Sequence, residues 1–113
     1  MEYKKNYEEL VRHLKWIIDK DTEFWTHNFW GEYGHDDHIL VYQAVMEIAD
    51  RFDLPVYCYN GIEKIEVKEK DIIKVKTDYN FFRETKKLYA DNKIWTYDDS
   101  YEPPKILEYF KAR

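Results

Sequence analysis

Three of the chain's four histidines, His27, His35 and His38, are crowded into one stretch running from Thr26 to Val45. At a helix start, residues three apart share a face, so His35 and His38 can converge on one ion or one substrate, while Asp36 or Asp37 caps exposed backbone N–H groups. The two aspartates can also serve the histidines. A carboxylate that accepts from one ring nitrogen fixes the tautomer and raises the basicity of the other, as a metal ligand or a general acid/base requires. Two histidines fall short of the three protein ligands plus water of a catalytic zinc site. Without a third ligand, the pair reads as polar residues of a surface loop that begin a helix.

The elements that must hold these side chains can be read around them. His27 follows a short apolar run and closes a strand, Gly31 and Gly34 punctuate a loop, and His35 and His38 stand where the loop becomes a helix. Ligands of open α/β sheets bind outside the carboxyl ends of strands, where loops carry the chemistry and the sheet holds them still. Phe29, Trp30 and Tyr33 in this loop would be costly to leave in water, so they either wall a pocket or pack under the next helix.

The continuous string Thr26-His27-Asn28-Phe29-Trp30-Gly31-Glu32-Tyr33-Gly34-His35-Asp36-Asp37-His38, followed by Ile39-Leu40-Val41, resembles the second signature of the PIG-L/LmbE family, Thr-His-Asn-Pro-Trp-Gly-Glu-Tyr-Gly-His-x-x-His. Phe29 and Asp36 stand where that pattern often has Pro. Leu88-Tyr89, Asn92 and Ile94-Trp95-Thr96-Tyr97 are similar to the family's closing Tyr and Trp-Thr-Trp segment. The family consists of zinc-dependent N-deacetylases, mostly acting on N-acetylglucosamine-type sugars. The resemblance implies that His38 is a zinc ligand, that His35 stabilises the oxyanion and protonates the leaving amine, and that Asp37 orients His35. From their place in the same loop, His27, Trp30, Glu32 and Tyr33 are candidate substrate-binding residues, with Glu32 able to accept sugar hydroxyls or to brace a histidine.

The family's first signature, Ala-His-Pro-Asp-Asp-Glu, which supplies two further zinc ligands and the general-base aspartate, has no counterpart here. His13 lies in a helical pattern with no aspartate beside it. The chain thus looks like the C-terminal half of such an enzyme. Catalysis would need a partner chain with the missing ligands, a longer chain, or a local substitute such as His27 or Glu32 turning inward. A symmetric homodimer would not restore the first signature, because both copies lack it.

Composition bounds the alternatives. With 113 residues the chain is one domain, and domains of this size bury roughly 60–70% of their unfolded surface. Aromatic residues make up 19%, which suits a compact core and also stacking against a sugar ring. Eighteen Lys and Arg against twenty-three Asp and Glu give a net charge of -5 with no basic face, which argues against a nucleic-acid partner. The single cysteine, Cys58, sits in an apolar run and reads as a small buried residue in a reducing compartment. No run approaches the ~20 apolar residues of a membrane helix, so a soluble, unprocessed, cytoplasmic protein is expected.

Taken in order, Tyr7, Leu10, Val11, Leu14, Ile17 and Ile18 predict an amphipathic helix over residues 3–19, with Trp16 off the stripe and either exposed or covered by a partner. Glu23–Thr26 is a short strand, and Asp36–Phe52 a helix ended by Asp53. Leu54–Tyr59 reads as a buried strand of a parallel sheet, completing a right-handed βαβ unit. Asn60-Gly61 is a turn on the same sheet edge as His27. Ile62–Val75 predicts two short edge strands or a meander, and Tyr79–Asp91 a helix capped by Asp78. Ile94–Tyr97 is a short extended segment, and Pro103-Pro104 opens a last helix bearing Ile106, Leu107, Tyr109 and Phe110. The expected fold is α/β, a Rossmann-like three-layer fragment with a small parallel sheet, flanking helices and a C-terminal edge-strand/helix extension.

Three functions fit these residues. One is a zinc-assisted N-deacetylase, or a portion of one, acting on an N-acetyl sugar or glycoconjugate. The second is a non-catalytic binding module that kept the half-fold, lost the metal site and has its open sheet edge covered by a partner subunit or a further copy. The third is an unrelated small regulatory protein in which the histidine string is accidental.

Overall fold

The computed structural model describes residues 3–95 and 97–113; Thr96, part of the expected Ile94–Tyr97 segment, lies outside them. The architecture is mixed α/β: helix α1 (Tyr3–Ile17), strand β1 (Phe24–Thr26), the short helical turn α2 (Gly31–Gly34), helix α3 (Asp36–Phe52), β2 (Val56–Tyr59), β3 (Ile72–Lys76), α4 (Tyr79–Asp91) and β4 (Ile106–Lys111). The four strands form one mixed sheet in the order β1-β2-β4-β3.

The sheet's parallel part is the β1–α3–β2 unit. Phe24, Trp25 and Thr26 pair with Val56, Tyr57 and Cys58, so β1 and β2 end side by side. Their carboxyl ends carry His27 and Asn60 respectively. Strand alternation sends Val56 and Cys58 inward, both 0% exposed, and Tyr57 to the opposite face, where it stacks on Trp25 at 4.6 Å. The inward residues meet Val45 and Ala49 of α3 and Leu54, with Leu14 and Ile18 packed against them. Asp53 stops α3 in the left-handed region (φ 54°), its N–H bonded to the Ala49 carbonyl. Between α1 and β1, Asp19 closes the turn by accepting from the Asp21 N–H at 2.8 Å.

Contacts divide the chain into two compact units, one comprising residues up to Ile73 with Glu108–Arg113, the other Lys74–Leu107. In the second, Asp78 caps α4 by accepting from the Phe81 N–H at 3.0 Å, as its position before the helix predicts. Phe82 of α4 meets Trp95 and Tyr101 edge-on, both at 6.0 Å, and the Lys86 ammonium lies 5.3 Å from the Trp95 ring centre.

Several expectations are corrected. The segment after Pro103-Pro104 is not a helix but strand β4, antiparallel to β2, with Cys58 opposite Phe110 and Tyr59 opposite Tyr109. Ile106, Tyr109 and Phe110 match helical spacing for one turn only, too little to outweigh sheet pairing. Parallel pairing therefore holds for β1–β2, and β2 is flanked on its other side by an antiparallel neighbour. Ile62–Val75 yields one strand, β3, after a 3-10 turn at Glu69–Asp71, and Ile94 and Trp95 are not in a strand. The cap of α3 is neither Asp36 nor Asp37 but His35, whose Nδ1 accepts from the Asp37 N–H. Trp16 is 86% exposed. Among the described residues no helix is long and apolar enough to cross a membrane.

Ile48, fully buried on α3, and Trp16 make a matched test of this packing. Ile48→Ala should lower unfolding stability by about 2–5 kcal/mol, and Trp16→Ala should change it by less than about 0.5 kcal/mol, both read by urea denaturation.

Candidate metal centre

The loop between β1 and α3 is wound around Asn28, which is completely buried. Its side-chain oxygen accepts from the backbone N–H of Trp30 (3.2 Å) and of Glu32 (3.0 Å), and its amide donates to the Tyr59 carbonyl at 2.6 Å. One side chain thus closes the loop and fastens it to the end of β2. The next chain segment adds two ties: the Glu63 N–H donates to the Glu32 carbonyl at 3.1 Å, and the Trp30 indole donates to the Glu63 carbonyl at 2.8 Å. Gly31 (φ 62°) is required where the loop meets α3, since a Cβ there would stand 2.9 Å from Ile39 Cγ1.

Glu32 takes up the consequence of that winding. Its backbone is left-handed (φ 62°), a conformation costing of order 1–3 kcal/mol that only surrounding bonds can maintain. Its side chain is 3% exposed, and a buried carboxylate must be fully paired. Oε1 accepts from the Asn28 N–H at 3.2 Å, while Oε2 faces two imidazoles, His27 Nδ1 at 3.1 Å and His38 Nδ1 at 2.6 Å.

The histidines themselves form a stack. The His27 and His38 rings are 3.9 Å apart and within 5° of parallel, and His35 lies on the other side of His38 at 4.1 Å and 10°. Tyr33 meets His35 and His38 edge-on at 5.8 and 6.0 Å. Burial pushes the His27 pKa below the ordinary histidine value against the opposing pull of Glu32, so its ring is neutral at pH 7. Beneath the site Cys58 is fully buried, and burial, helped by the charge of Glu32, pushes its thiol up to about 12, which keeps it protonated and inert.

His27, Glu32 and His38 each offer a ligand atom, all within 4.8 Å of one another, and form a group that could hold a metal ion. A cleft of about 330 Å³, lined by Trp25, Thr26, His27, Val41, Tyr59 and Tyr109, opens beside His27. Of the other site residues expected from the sequence, His35 joins the stack, whereas Asp37 is exposed, its backbone N–H bonded to His35 Nδ1 at 3.2 Å. Trp30 lies parallel to Phe110 at 6.2 Å, part of the packing under the loop. Asn28 was not singled out by sequence reasoning, although an Asn opening a Gly-containing loop is a turn signal.

Asn28→Ala would leave two backbone N–H groups and the Tyr59 carbonyl without this partner. It should lower stability by roughly 2–4 kcal/mol, measured by denaturant unfolding, and broaden the His27 and His38 ring signals in NMR as the loop loosens.

Compared with models of known protein families, with curated proteins and with solved structures, the chain matches none of them.

Proposed function

We propose that the protein is a zinc-dependent N-deacetylase of the PIG-L/LmbE type, or the C-terminal portion of one, hydrolysing the amide of an N-acetylglucosamine-type sugar or glycoconjugate. The observation that carries this reading is the convergence of His27, Glu32 and His38 at the carboxyl end of the parallel strand pair. All three belong to the Thr26–His38 string that resembles the family's second signature, and His27 and Glu32 turn toward His38. Zinc would be held by His27 and His38, with Glu32 bracing both rings and a further ligand supplied by a partner or a longer chain.

Zinc, when bound, would polarise the amide carbonyl and lower the pKa of a bound water. The base that takes that water's proton would come from a partner or a longer chain, and this chain's own residues would supply the remaining roles. His35, its Nδ1 engaged by the Asp37 N–H, keeps Nε2 as its proton-bearing atom, suited to stabilise negative charge on the substrate oxygen and to hand a proton to the departing amine. The cleft beside His27, with Trp25 and Tyr109 in its lining, offers aromatic faces to a sugar ring.

A second reading is favoured by one observation: both oxygens of Glu32, the carboxylate between the histidines, are engaged by protein donors. A non-catalytic binding module that kept the half-fold and lost the metal site has no use for a free carboxylate base.

Elemental analysis after dialysis against submicromolar zinc should find about one zinc per chain, the count of a mononuclear hydrolytic site, and His38→Ala should abolish retention. His35→Ala should keep the metal and lose about 10²–10³-fold in deacetylation of N-acetylglucosamine substrates. No retained zinc would defeat autonomous zinc catalysis and favour the binding module; retained zinc without deacetylation by the wild type would contradict catalysis by this chain alone.

A further inference from the structure

We infer that Glu32 is a positioning residue that fixes the tautomers of two histidines at once, setting His27 and His38 opposite in proton polarity to the adjacent His35. A carboxylate oxygen only accepts, so the ring nitrogens that face Glu32 Oε2, His27 Nδ1 and His38 Nδ1, both carry hydrogen. A neutral imidazole has one N–H and one lone pair, so each of these rings presents its lone pair at Nε2. His35 is the reverse. Its Nδ1 accepts from the Asp37 backbone N–H, which only donates, so its hydrogen is on Nε2. Two lone-pair-bearing Nε2 atoms and one N–H-bearing Nε2 therefore belong to three rings stacked about 4 Å apart.

Distances separate this role from that of a ligand. Two ligands of a tetrahedral zinc, each bonded at about 2.0–2.1 Å, stand about 3.3 Å from one another. Glu32 Oε2 and His38 Nδ1 are 2.6 Å apart, well inside that separation and at the short end for a hydrogen bond to a charged acceptor. The other oxygen is held by the Asn28 N–H, and the left-handed backbone of Glu32 is fixed by the Asn28 side chain, so the carboxylate is locked as a brace. The use of the two Nε2 lone pairs to hold a cation rests on the function proposed above; the tautomers do not.

The test is a long-range proton–nitrogen correlation spectrum of the metal-free, histidine-labelled full chain at a pH where the rings are neutral, with the signals assigned from the backbone. His27 and His38 should show the Nδ1–H pattern and His35 the Nε2–H pattern. In Glu32→Ala, His27 and His38 should return to the Nε2–H form that free imidazoles prefer. An Nε2–H pattern on either His27 or His38 in the wild type would overturn the inference even if the variant fails to fold, and so would Nδ1–H patterns that persist in a folded variant. Added zinc should shift the ring carbons as expected for coordination through Nε2, and coordination through Nδ1 would contradict it. Correct tautomers without zinc uptake would sink the zinc reading and leave this assignment standing.

Discussion

The buried Glu32 carboxylate is the interaction around which the candidate site is assembled. With its side chain 3% exposed, it would be costly to bury unpaired, and its pairing requires His27 from one side of the loop and His38 from the other. The same requirement explains the backbone. A residue at φ 62° is strained, yet this turn is what brings a side chain five residues after His27 and six before His38 between the two rings. Asn28 stabilises the arrangement by satisfying the loop's own N–H groups, and the tie to Tyr59 transfers its position to the sheet.

The scaffold's contribution is rigidity in a few places. β1 has only three residues, but it is hydrogen-bonded to β2 along its length and covered on one face by α3, whose Ala44, Val45, Ile48 and Ala49 are buried. His27 leaves the end of β1 and His38 lies in the first turn of α3, so the strand and the helix that pack together also set the two rings in register. β4 adds to this by placing Phe110 beside Cys58 within the core and against Trp30 of the loop. Loops that carry chemistry on a fixed sheet edge follow the same logic in other open α/β sheets.

Much of the fold was legible where one local signal dominated. The apolar stripe of α3, that of α1 apart from the exposed Ile17, and the Asp78 cap are properties of short windows, and the structure follows them; the alternation of Val56 and Cys58 with Tyr57 was not legible, because Leu54–Tyr59 is apolar enough to read as buried throughout. Ile106–Lys111 was misread because one helical turn and one short strand look alike when Ile, Tyr and Phe are close together, and only pairing with β2 decides between them. At the site, the convergence of His35 and His38 followed from their spacing. The burial of Glu32 did not, since a loop glutamate is ordinarily solvated and what buries this one includes a bond between Asn28 and Tyr59, thirty-one residues away. The cap of α3 was assigned to an aspartate for a related reason: Asp is the commoner cap, and His35 takes that place with its ring already aligned on His38.

The central claim is that the loop from Thr26 to His38 gathers His27 and His38 onto one cation beside Glu32. Crystals of the protein soaked in zinc, with anomalous scattering recorded on both sides of the zinc edge, test it most directly. The account predicts one strong anomalous peak within bonding distance of a nitrogen of His27 and of His38. A peak at His13 or elsewhere, with the stacked histidines unchanged and no density between them, would contradict it.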